Sequence, residues 1–148
     1  MNAQQVTQKV LKAIEDQDWE GAQSLLADNF TFSGAVPQPI SGPEWLGVHR
    51  ALANAMPDIR FNYVATGGDD GTAEGTVQVS GTNTGELALP LPGVPRVPAT
   101  GKKITNPREH VRVKAQGNKL INYKVEQVAD GGVPGILKQM GIALPAGH

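Results

Sequence analysis

Three ionisable side chains near the C-terminal end of the sequence have the chemistry that proton transfer requires. His110, Glu126 and Asp130 lie in a part of the chain where polar and apolar residues alternate. A histidine beside a carboxylate is held in one orientation, with a pKa close to the physiological range, and this suits general acid–base catalysis. We therefore regard these three residues as the candidate catalytic groups. Glu126 or Asp130 would move the proton, and His110 would orient the carboxylate or act as its partner.

Contact between His110 and Glu126 depends on the register of the two segments that carry them, Lys103–Ala115 and Leu120–Ala129, which alternate as an antiparallel hairpin. A two-residue turn would mix the polar and apolar faces and would place two glutamates opposite each other, which is unfavourable. A three-residue loop, Gly117-Asn118-Lys119, aligns the apolar residues instead, and burial selects register because a slip of one residue exchanges the faces. The second register predicts these pairs: Val111 with Val125, Val113 with Tyr123, Ala115 with Ile121, Arg112 with Lys124, Lys114 with Asn122, and His110 with Glu126.

In this register one face of the hairpin gathers five polar residues at one end: Asn106, Arg108, His110, Glu126 and Asp130. The cluster is either an acid–base pair that lines a pocket or a cross-strand ion pair on a solvated face, and the residues leave both alternatives open. A metal site has the least support, because the cluster holds one histidine and loosely spaced carboxylates. We expect the side chains of His110 and Glu126 to lie within hydrogen-bond distance, and we expect no metal and no cofactor.

Further residues are candidates for binding a substrate. Trp45 and His49 lie one helical turn apart, so they either line the mouth of a pocket or pack together in the core. Phe61 is either a core residue or a platform for a ring of the ligand. Asn106 or Tyr123 would donate a hydrogen bond to a developing oxyanion. These five residues are the predicted substrate-binding set.

Helical patterns come first in the chain. Residues 3–16 and a second segment that follows Asp18 place their apolar residues on one face. Ser41-Gly42-Pro43-Glu44 combines a capping box with an N-terminal proline, so it predicts a helix that runs to about Ala55. Pro134 opens a last short helix, which stops near Gly141.

Strand patterns dominate the rest of the chain. We predict strands at Asn29–Phe32, Asp58–Thr66 and Thr72–Glu86, ahead of the hairpin. Leu87–Gly101 contains four prolines, which deny donors to a sheet, but its leucines and valines are too apolar for a free loop. We predict that it forms a flap over the pocket mouth or over a dimer partner. Early helices followed by an antiparallel meander predict an α+β fold, with helices on one face of a strongly bent sheet that lacks a parallel pair in its core.

Composition and charge exclude several classes of protein. The chain has 148 residues, which we assign to one domain, 1–148, and it has no cysteine, so disulfides and thiol chemistry are excluded. No apolar run is long enough to span a membrane and the N-terminus lacks a secretory pattern, so we expect a cytoplasmic protein without a membrane partner.

The basic residues are unevenly distributed, since 9 of the 13 follow residue 95. The strands that carry them either pack beside an acidic half of the chain or meet an anionic ligand. They lack interleaved aromatic residues, which argues against nucleic acid.

Four stretches carry a resemblance to a known family. They are Asp18-Trp19-Glu20 leading to Leu25-Leu26-Ala27-Asp28-Asn29-Phe30, then Met56-Pro57-Asp58-Ile59, then Gly81-Thr82-Asn83-Thr84-Gly85-Glu86 with Ala99-Thr100-Gly101-Lys102-Lys103-Ile104, and finally Gly135-Ile136-Leu137-Lys138-Gln139-Met140-Gly141. In this order they resemble the nuclear transport factor 2-like superfamily and, within it, the SnoaL-like polyketide cyclases of the branch that also holds ketosteroid isomerases. The resemblance implies a cone-shaped α+β barrel, in which a curved antiparallel or mixed sheet wraps N-terminal helices around an internal pocket. It also implies a small apolar or cyclic ligand and a homodimer through the sheet.

The family's functional residues transfer only in part. Aligned through the Asp18–Phe32 segment, the tyrosine of the steroid isomerases falls on Val10 and their catalytic aspartate on Gly34. The resemblance therefore does not imply a steroid isomerase of the known type. The cyclase aspartate falls on Val128 without a gap, or on Asp130 with a small insertion.

The sequence supports two functions that belong to different classes. The first is cofactor-independent acid–base chemistry, of the isomerase, cyclase or lyase type, on a cyclic apolar or polyketide-like molecule. The second is a non-catalytic module that binds a ligand or dimerises. A shared fold does not decide between them, because function depends on the site. Burial of the carboxylates and of His110 is the property that separates the two.

Overall fold

The computed structural model describes residues 1–34, 38–90 and 96–142. Its helices are α1 (Ala3–Glu15), α2 (Trp19–Ser24), α3 (Gly42–Ala55) and α4 (Gly132–Gln139). Its strands are β1 (Leu26–Ser33), β2 (Ile40–Ser41), β3 (Val64–Gly68), β4 (Thr72–Val77), β5 (Ser80–Thr82), β6 (Lys103–Thr105), β7 (Glu109–Gln116) and β8 (Lys119–Val125). Helices precede most of the strands, as the sequence predicts.

The two long helices begin at complete capping boxes. Asn2 and Gln5 exchange side-chain and backbone hydrogen bonds at the start of α1. Ser41 and Glu44 do the same at the start of α3, where the backbone N–H of Glu44 donates to the Ser41 hydroxyl at 3.3 Å. These bonds satisfy backbone N–H groups that have no partner inside the helix. The predicted helix that ends at about Ala55 is confirmed.

Six strands form one mixed sheet in the order β2-β1-β8-β7-β4-β3, and β5 and β6 form a separate two-stranded sheet. Helix α1 packs against β4, β7 and β8, while α3 packs against β1, so the core lies between the helices and one face of the sheet. The α+β fold with a curved mixed sheet is confirmed. The narrower expectation of a sheet without a parallel pair is wrong, because β1 runs parallel to β8. The connection from β1 to β8 contains α3 and six strands, so local alternation carries no information about this pairing.

The structure interrupts three of the predicted strands. The predicted strand Asp58–Thr66 reduces to β3, because Asn62 adopts a left-handed backbone (φ 49°) that interrupts extended structure. Thr72–Glu86 divides into β4 and β5, which join different sheets. The first strand of the hairpin likewise divides into β6 and β7, with Pro107 in the connection, where it denies a donor to the ladder.

The register of the final hairpin follows the apolar pairs that the sequence predicts. Val111 lies opposite Val125, and Val113 lies opposite Tyr123. The predicted pair of Ala115 with Ile121 is wrong, since Ala115 lies opposite Leu120. The turn has two residues, and a bulge on β8 shifts the register by one, so the predicted register arises without the three-residue loop.

The Leu87–Gly101 segment packs on the core where the structure describes it. Leu87, Leu89 and Val97 are buried, and Leu87 and Val97 exchange backbone hydrogen bonds of 2.8 and 2.9 Å. Leu91 and Val94 lie outside the described residues. The role of the segment as a flap over a pocket or a dimer partner stays a prediction, as does the homodimer itself.

A buried asparagine ties this segment to the C-terminal end of α3. The Asn83 amide nitrogen donates to the carbonyls of Ala55 (3.3 Å) and Gly85 (2.8 Å). Its carbonyl oxygen accepts from the backbone N–H and the hydroxyl of Thr100, at 2.8 and 2.7 Å. Asn83 is fully buried, so each of these bonds replaces contact with water.

We expect Asn83→Ala to lower the free energy of unfolding by about 3 kcal/mol, because it leaves several buried polar groups without partners. Urea denaturation measures this change. Asn54→Ala is the matched control, since the exposed Asn54 donates a single bond to the carbonyl of Glu86. Its loss should cost less than about 1 kcal/mol. Equal losses in the two variants would contradict the role of Asn83.

Candidate functional site

Six aromatic rings cluster around Trp45 between α3 and the inner face of the sheet. Trp45 is 2% exposed, and its ring lies 4.7 Å from that of His49 and 5.4 Å from that of Tyr123, measured between centroids. The rings of Phe30 and Phe32 also pack against that of Trp45, and the ring of Phe61 packs against that of His49. Such tilted and edge-on pairs are the geometries that aromatic rings prefer. Four of the five predicted substrate-binding residues therefore meet in one cluster: Trp45, His49, Phe61 and Tyr123.

His49 is held as a neutral imidazole in a single tautomer. Its Nδ1 lies 2.9 Å from the carbonyl oxygen of Trp45. A carbonyl only accepts, so Nδ1 carries the proton and Nε2 keeps a lone pair. Burial lowers the pKa of His49 to about 4, although the hydrogen bond to Trp45 raises it slightly. The residue nevertheless keeps part of its accessible surface. A desolvated ring with remaining accessible surface is the environment expected at the wall of a concave site.

The indole nitrogen of Trp45 is a second polar group in this cluster. Trp45 Nε1 is buried and has no hydrogen-bond partner within residues 1–34, 38–90 and 96–142. Because most buried N–H groups in proteins are paired, an unpaired one calls for an explanation. Nε1 is a donor only, so it is available to an oxygen atom of a ligand.

Glu109 is the carboxylate that the structure buries, and sequence reasoning missed it. It is 5% exposed, and its Oε1 accepts from the backbone N–H of Gly132 at 3.3 Å, at the start of α4. Its Oε2 has no partner in the described part of the chain. Burial raises the pKa of Glu109, and the hydrogen bond from Gly132 partly opposes the shift. The signal was present in the sequence, because Glu109 is in phase with Val111 and Val113, which face the core.

Two tyrosines lie on the same inner face near Glu109. Burial raises the pKa of Tyr123 well above its usual range, and the negative charges of Tyr63 and Glu109 add to the shift. The ring of Tyr63 lies over Gly75 of β4, where an added Cβ would meet its Cε2 at 2.7 Å. The Tyr123 hydroxyl therefore stays protonated and can donate a hydrogen bond. Phe32 is a further aromatic residue of the cluster, and no sequence feature singled it out.

The structure separates the three predicted catalytic residues from this cluster. His110 is half-buried and Glu126 is exposed, and both lie outside the inner face that Val111 and Val125 define. The backbone N–H of Glu126 donates to the carbonyl of His110 at 2.9 Å, but their side chains form no hydrogen bond or ion pair in the described structure. The expected side-chain contact is therefore corrected: the register brings the two backbones together, while the carboxylate stays in water.

Asp130 and Asn106 both serve the attachment of α4. Asp130 is exposed and forms a surface ion pair with Lys138 at 2.9 Å. Asn106 is buried; its amide nitrogen donates to the Gly132 carbonyl at 3.0 Å and its oxygen accepts from Gln139 at 2.9 Å. Both polar groups of the Asn106 side chain are therefore hydrogen-bonded within the protein, which leaves its predicted contact with a substrate without support.

A shallow groove of about 670 Å³ lies elsewhere, along α1 and the start of α2. Its lining includes Gln5, Lys9 and Asp16, and it contains none of the clustered aromatic rings.

Solved structures with the same architecture define the class of fold. AclR, a candidate hydroxylase from Streptomyces galilaeus, superposes with a TM-score of 0.70 at 13% identity and covers 93% of this chain and 94% of its own. IdmH, a candidate polyketide cyclase from Streptomyces antibioticus, gives 0.67 at 16% identity, with 94% and 98% covered. A Mycobacterium tuberculosis protein in complex with estradiol-17beta-hemisuccinate gives 0.64 at 14% identity, with 86% and 95% covered. The chain therefore has the nuclear transport factor 2-like fold of these proteins.

The family model of the SnoaL-like domain matches residues 7–122, so this chain belongs to the SnoaL-like domain family. The search of curated proteins found no significant match. No helix in the described part of the chain is long and apolar enough to cross a membrane.

The pKa of His49 predicts how it titrates. We expect its imidazole to titrate with a midpoint near 4 in a histidine NMR titration, with Nε2 unprotonated above that pH. The unfolded chain binds the proton at about 6.5, so stability should fall as the pH falls from 6.5 to 4 and should change little from this source below 4. His49→Phe should remove this slope. A His49 midpoint between 6 and 7 would contradict the buried, neutral imidazole.

The raised pKa of Glu109 predicts that stability changes with pH in the direction opposite to that predicted for His49. Its pKa is higher in the folded state than the unfolded value of 4.5, so its contribution to stability is lost as the pH rises above 4.5. The unfolding free energy of Glu109→Gln should therefore improve relative to the wild type between pH 4.5 and pH 8. Glu126→Gln is the matched control, because it makes the same substitution at an exposed position. Parallel pH profiles for wild type and Glu109→Gln would show that Glu109 is not buried as described.

Proposed function

We propose that this protein performs cofactor-independent acid–base chemistry on a cyclic apolar or polyketide-like molecule that carries a carbonyl group. The observation that carries the proposal is the buried Glu109, whose Oε2 lacks a partner among the described residues, on the inner face that also holds Tyr123. A carboxyl group with a raised pKa beside an aromatic enclosure is the arrangement that general acid–base catalysts use. We therefore assign to Glu109 the role that the sequence analysis assigned to Glu126, His110 and Asp130.

Glu109 would take a proton from the carbon next to the carbonyl group of the substrate. Desolvation makes the carboxylate a stronger base, and the N–H of Gly132 keeps one of its oxygens in place. In an isomerisation, the carboxyl group returns the proton to another carbon of the enolate. In a cyclisation, the enolate carbon forms a bond to a second carbonyl carbon, and the proton goes to the alkoxide that results.

Tyr123 would stabilise the negative charge on the enolate oxygen. Its pKa is raised by burial and by neighbouring negative charge, so it donates a hydrogen bond as a neutral hydroxyl. A donor aimed at a developing oxyanion in a dry site lowers the barrier by several kcal/mol in other enzymes, about 3–4 for one donor. The rings of Phe32 and Trp45, 5.8 and 5.4 Å from that of Tyr123, would exclude water and hold the cyclic part of the substrate.

A second candidate is the binding of a ligand without turnover. It is favoured by the groups on α3, since His49 is neutral and too weak a base for proton abstraction at pH 7, while Trp45 offers only a donor. These groups can bind a ligand but contribute little to proton transfer. The two candidates differ in whether Glu109 exchanges protons with the ligand.

Proton exchange separates the two candidates. With 2-tetralone, an enolisable bicyclic ketone, as the probe in D₂O, we expect the wild-type protein to accelerate replacement of the α-protons by deuterium, followed by NMR. Glu109→Gln should lower this acceleration at least about 100-fold, the usual size of a general-base contribution. Its affinity for 2-tetralone should change little, because glutamine has the same shape.

Glu126→Gln is the control, since it makes the same change on an exposed residue that directly follows β8. It should exchange protons at the wild-type rate. Loss of exchange in Glu126→Gln alone would restore the sequence-based assignment. Binding of 2-tetralone without acceleration by any variant would favour the non-catalytic module.

A further inference from the structure

Trp45 and His49 form the side of the aromatic cluster that belongs to α3, which we call the α3 wall. This wall presents one hydrogen-bond acceptor and one donor that no described residue uses. His49 Nε2 keeps a lone pair, because Nδ1–H donates to the Trp45 carbonyl at 2.9 Å, and Nε2 makes no hydrogen bond to a described residue. Trp45 Nε1 is a buried donor without a partner in the same part of the chain. The two rings lie 4.7 Å apart, edge to face, on adjacent turns of α3.

Because the wall offers both an unused acceptor and an unused donor, only some chemical groups of a ligand can satisfy it. A carboxylate or phosphate only accepts, so it would face the Nε2 lone pair with negative charge. An ammonium group only donates, so it would leave Trp45 Nε1 unpaired, and it would lose its hydration in an apolar enclosure. A hydroxyl group donates through its hydrogen and accepts through its oxygen, so it satisfies both sides of the wall.

We propose that the α3 wall is a hydroxyl-binding subsite, in which a neutral ring hydroxyl of the ligand donates to His49 Nε2 while a ligand oxygen accepts from Trp45 Nε1. The substrate class is then a cyclic compound with a free hydroxyl group, bound without charge. This inference rests on the proposed function for the location of the site, but it concerns recognition by α3 rather than proton transfer by Glu109. His49 is in this view a specificity-determining residue.

One general property of such sites and two features of the structure support the subsite. A site built to hydrogen-bond a hydroxyl discriminates strongly against analogues that lack it, because its own polar groups are then left buried and unpaired. The His49 ring is fixed by its bond to Trp45 and by contact with Phe61, at 5.6 Å between centroids, so the lone pair is oriented before the ligand arrives. The burial that lowers the pKa of His49 keeps the acceptor unprotonated at neutral pH.

Two naphthalenes test the subsite directly. 2-Naphthol donates and accepts a hydrogen bond, whereas 2-methoxynaphthalene has the same ring system and an oxygen that only accepts. At pH 7, titrations followed by tryptophan fluorescence should show that the wild-type protein binds 2-naphthol about tenfold more tightly than 2-methoxynaphthalene, which corresponds to about 1.4 kcal/mol. In His49→Phe the affinity for 2-naphthol should fall about tenfold, while the affinity for 2-methoxynaphthalene should stay within about threefold.

His110→Phe is the matched control, because it removes a histidine that lies outside the inner face. It should keep the wild-type preference. A preference for 2-naphthol that survives in His49→Phe would overturn the subsite but leave the pocket intact. Binding of neither compound to the wild-type protein would overturn both the subsite and the aromatic site of the proposed function. A preference that depends on His49, together with no proton exchange, would support the subsite and overturn only the catalytic proposal.

A measurement on the wild-type protein keeps the test independent of the variant's folding. In a ¹⁵N-labelled sample, the Nε2 resonance of His49 should move upfield on addition of 2-naphthol, as expected for an imidazole nitrogen that accepts a hydrogen bond. It should not move in this way with 2-methoxynaphthalene. An equal response to both compounds would overturn the assignment of Nε2 as the acceptor.

Discussion

The packing of Trp45 between α3 and the inner face of the sheet is the interaction on which the site depends. Trp45 is 2% exposed and contacts rings from α3, β1 and β8. The rings of Phe32 and Tyr123, 5.8 Å apart, come together because β1 and β8 pair in parallel with these two residues opposite each other. The same contact sets the rotation of α3, since His49 lies one turn further along and donates to the carbonyl of Trp45. A smaller residue at position 45 would therefore disturb both walls at once, through lost burial as well as lost ring contacts.

Glu109 opposes the stability of the same region. The inner positions of β7 alternate as Glu109, Val111 and Val113, so one carboxyl group occupies a place that packing alone would give to an apolar residue. Among the described residues, one carboxylate oxygen accepts from the N–H of Gly132 and the other has no partner, and an added Cβ at Gly131 would lie 2.9 Å from that second oxygen. Residues retained against their cost in stability are concentrated at functional sites. This conflict is the physical reason to place the chemistry at Glu109 rather than at an exposed carboxylate.

Local rules predicted the parts of the structure that depend on local interactions. The capping box at Ser41 located α3, and the apolar pairs of Val111 and Val113 set the hairpin register, because both signals act between near neighbours. The resemblance to the family supplied the mixed curved sheet, but the parallel pairing of β1 with β8 has no local signature. The predicted side-chain contact between His110 and Glu126 failed at one step: register was used to find which residues meet, whereas alternation decides which residues face inward. In β7 that rule turns His110 outward and Glu109 inward.

The polar groups of the site lie on two elements, and separate sets of hydrogen bonds hold these elements in place. Helix α3 offers groups suited to recognition, a neutral acceptor on His49 and a donor on Trp45, whereas the sheet offers groups suited to proton transfer, Glu109 and Tyr123. Helix α3 is held at its start by the Ser41 cap and at its end by the Asn83 hydrogen bonds. Glu109 is held instead by the start of α4, which Asn106 fastens to the sheet. Because no described hydrogen bond joins the two sets of supports, changes at His49 should alter which ligand is bound, while changes at Glu109 should alter what happens to it.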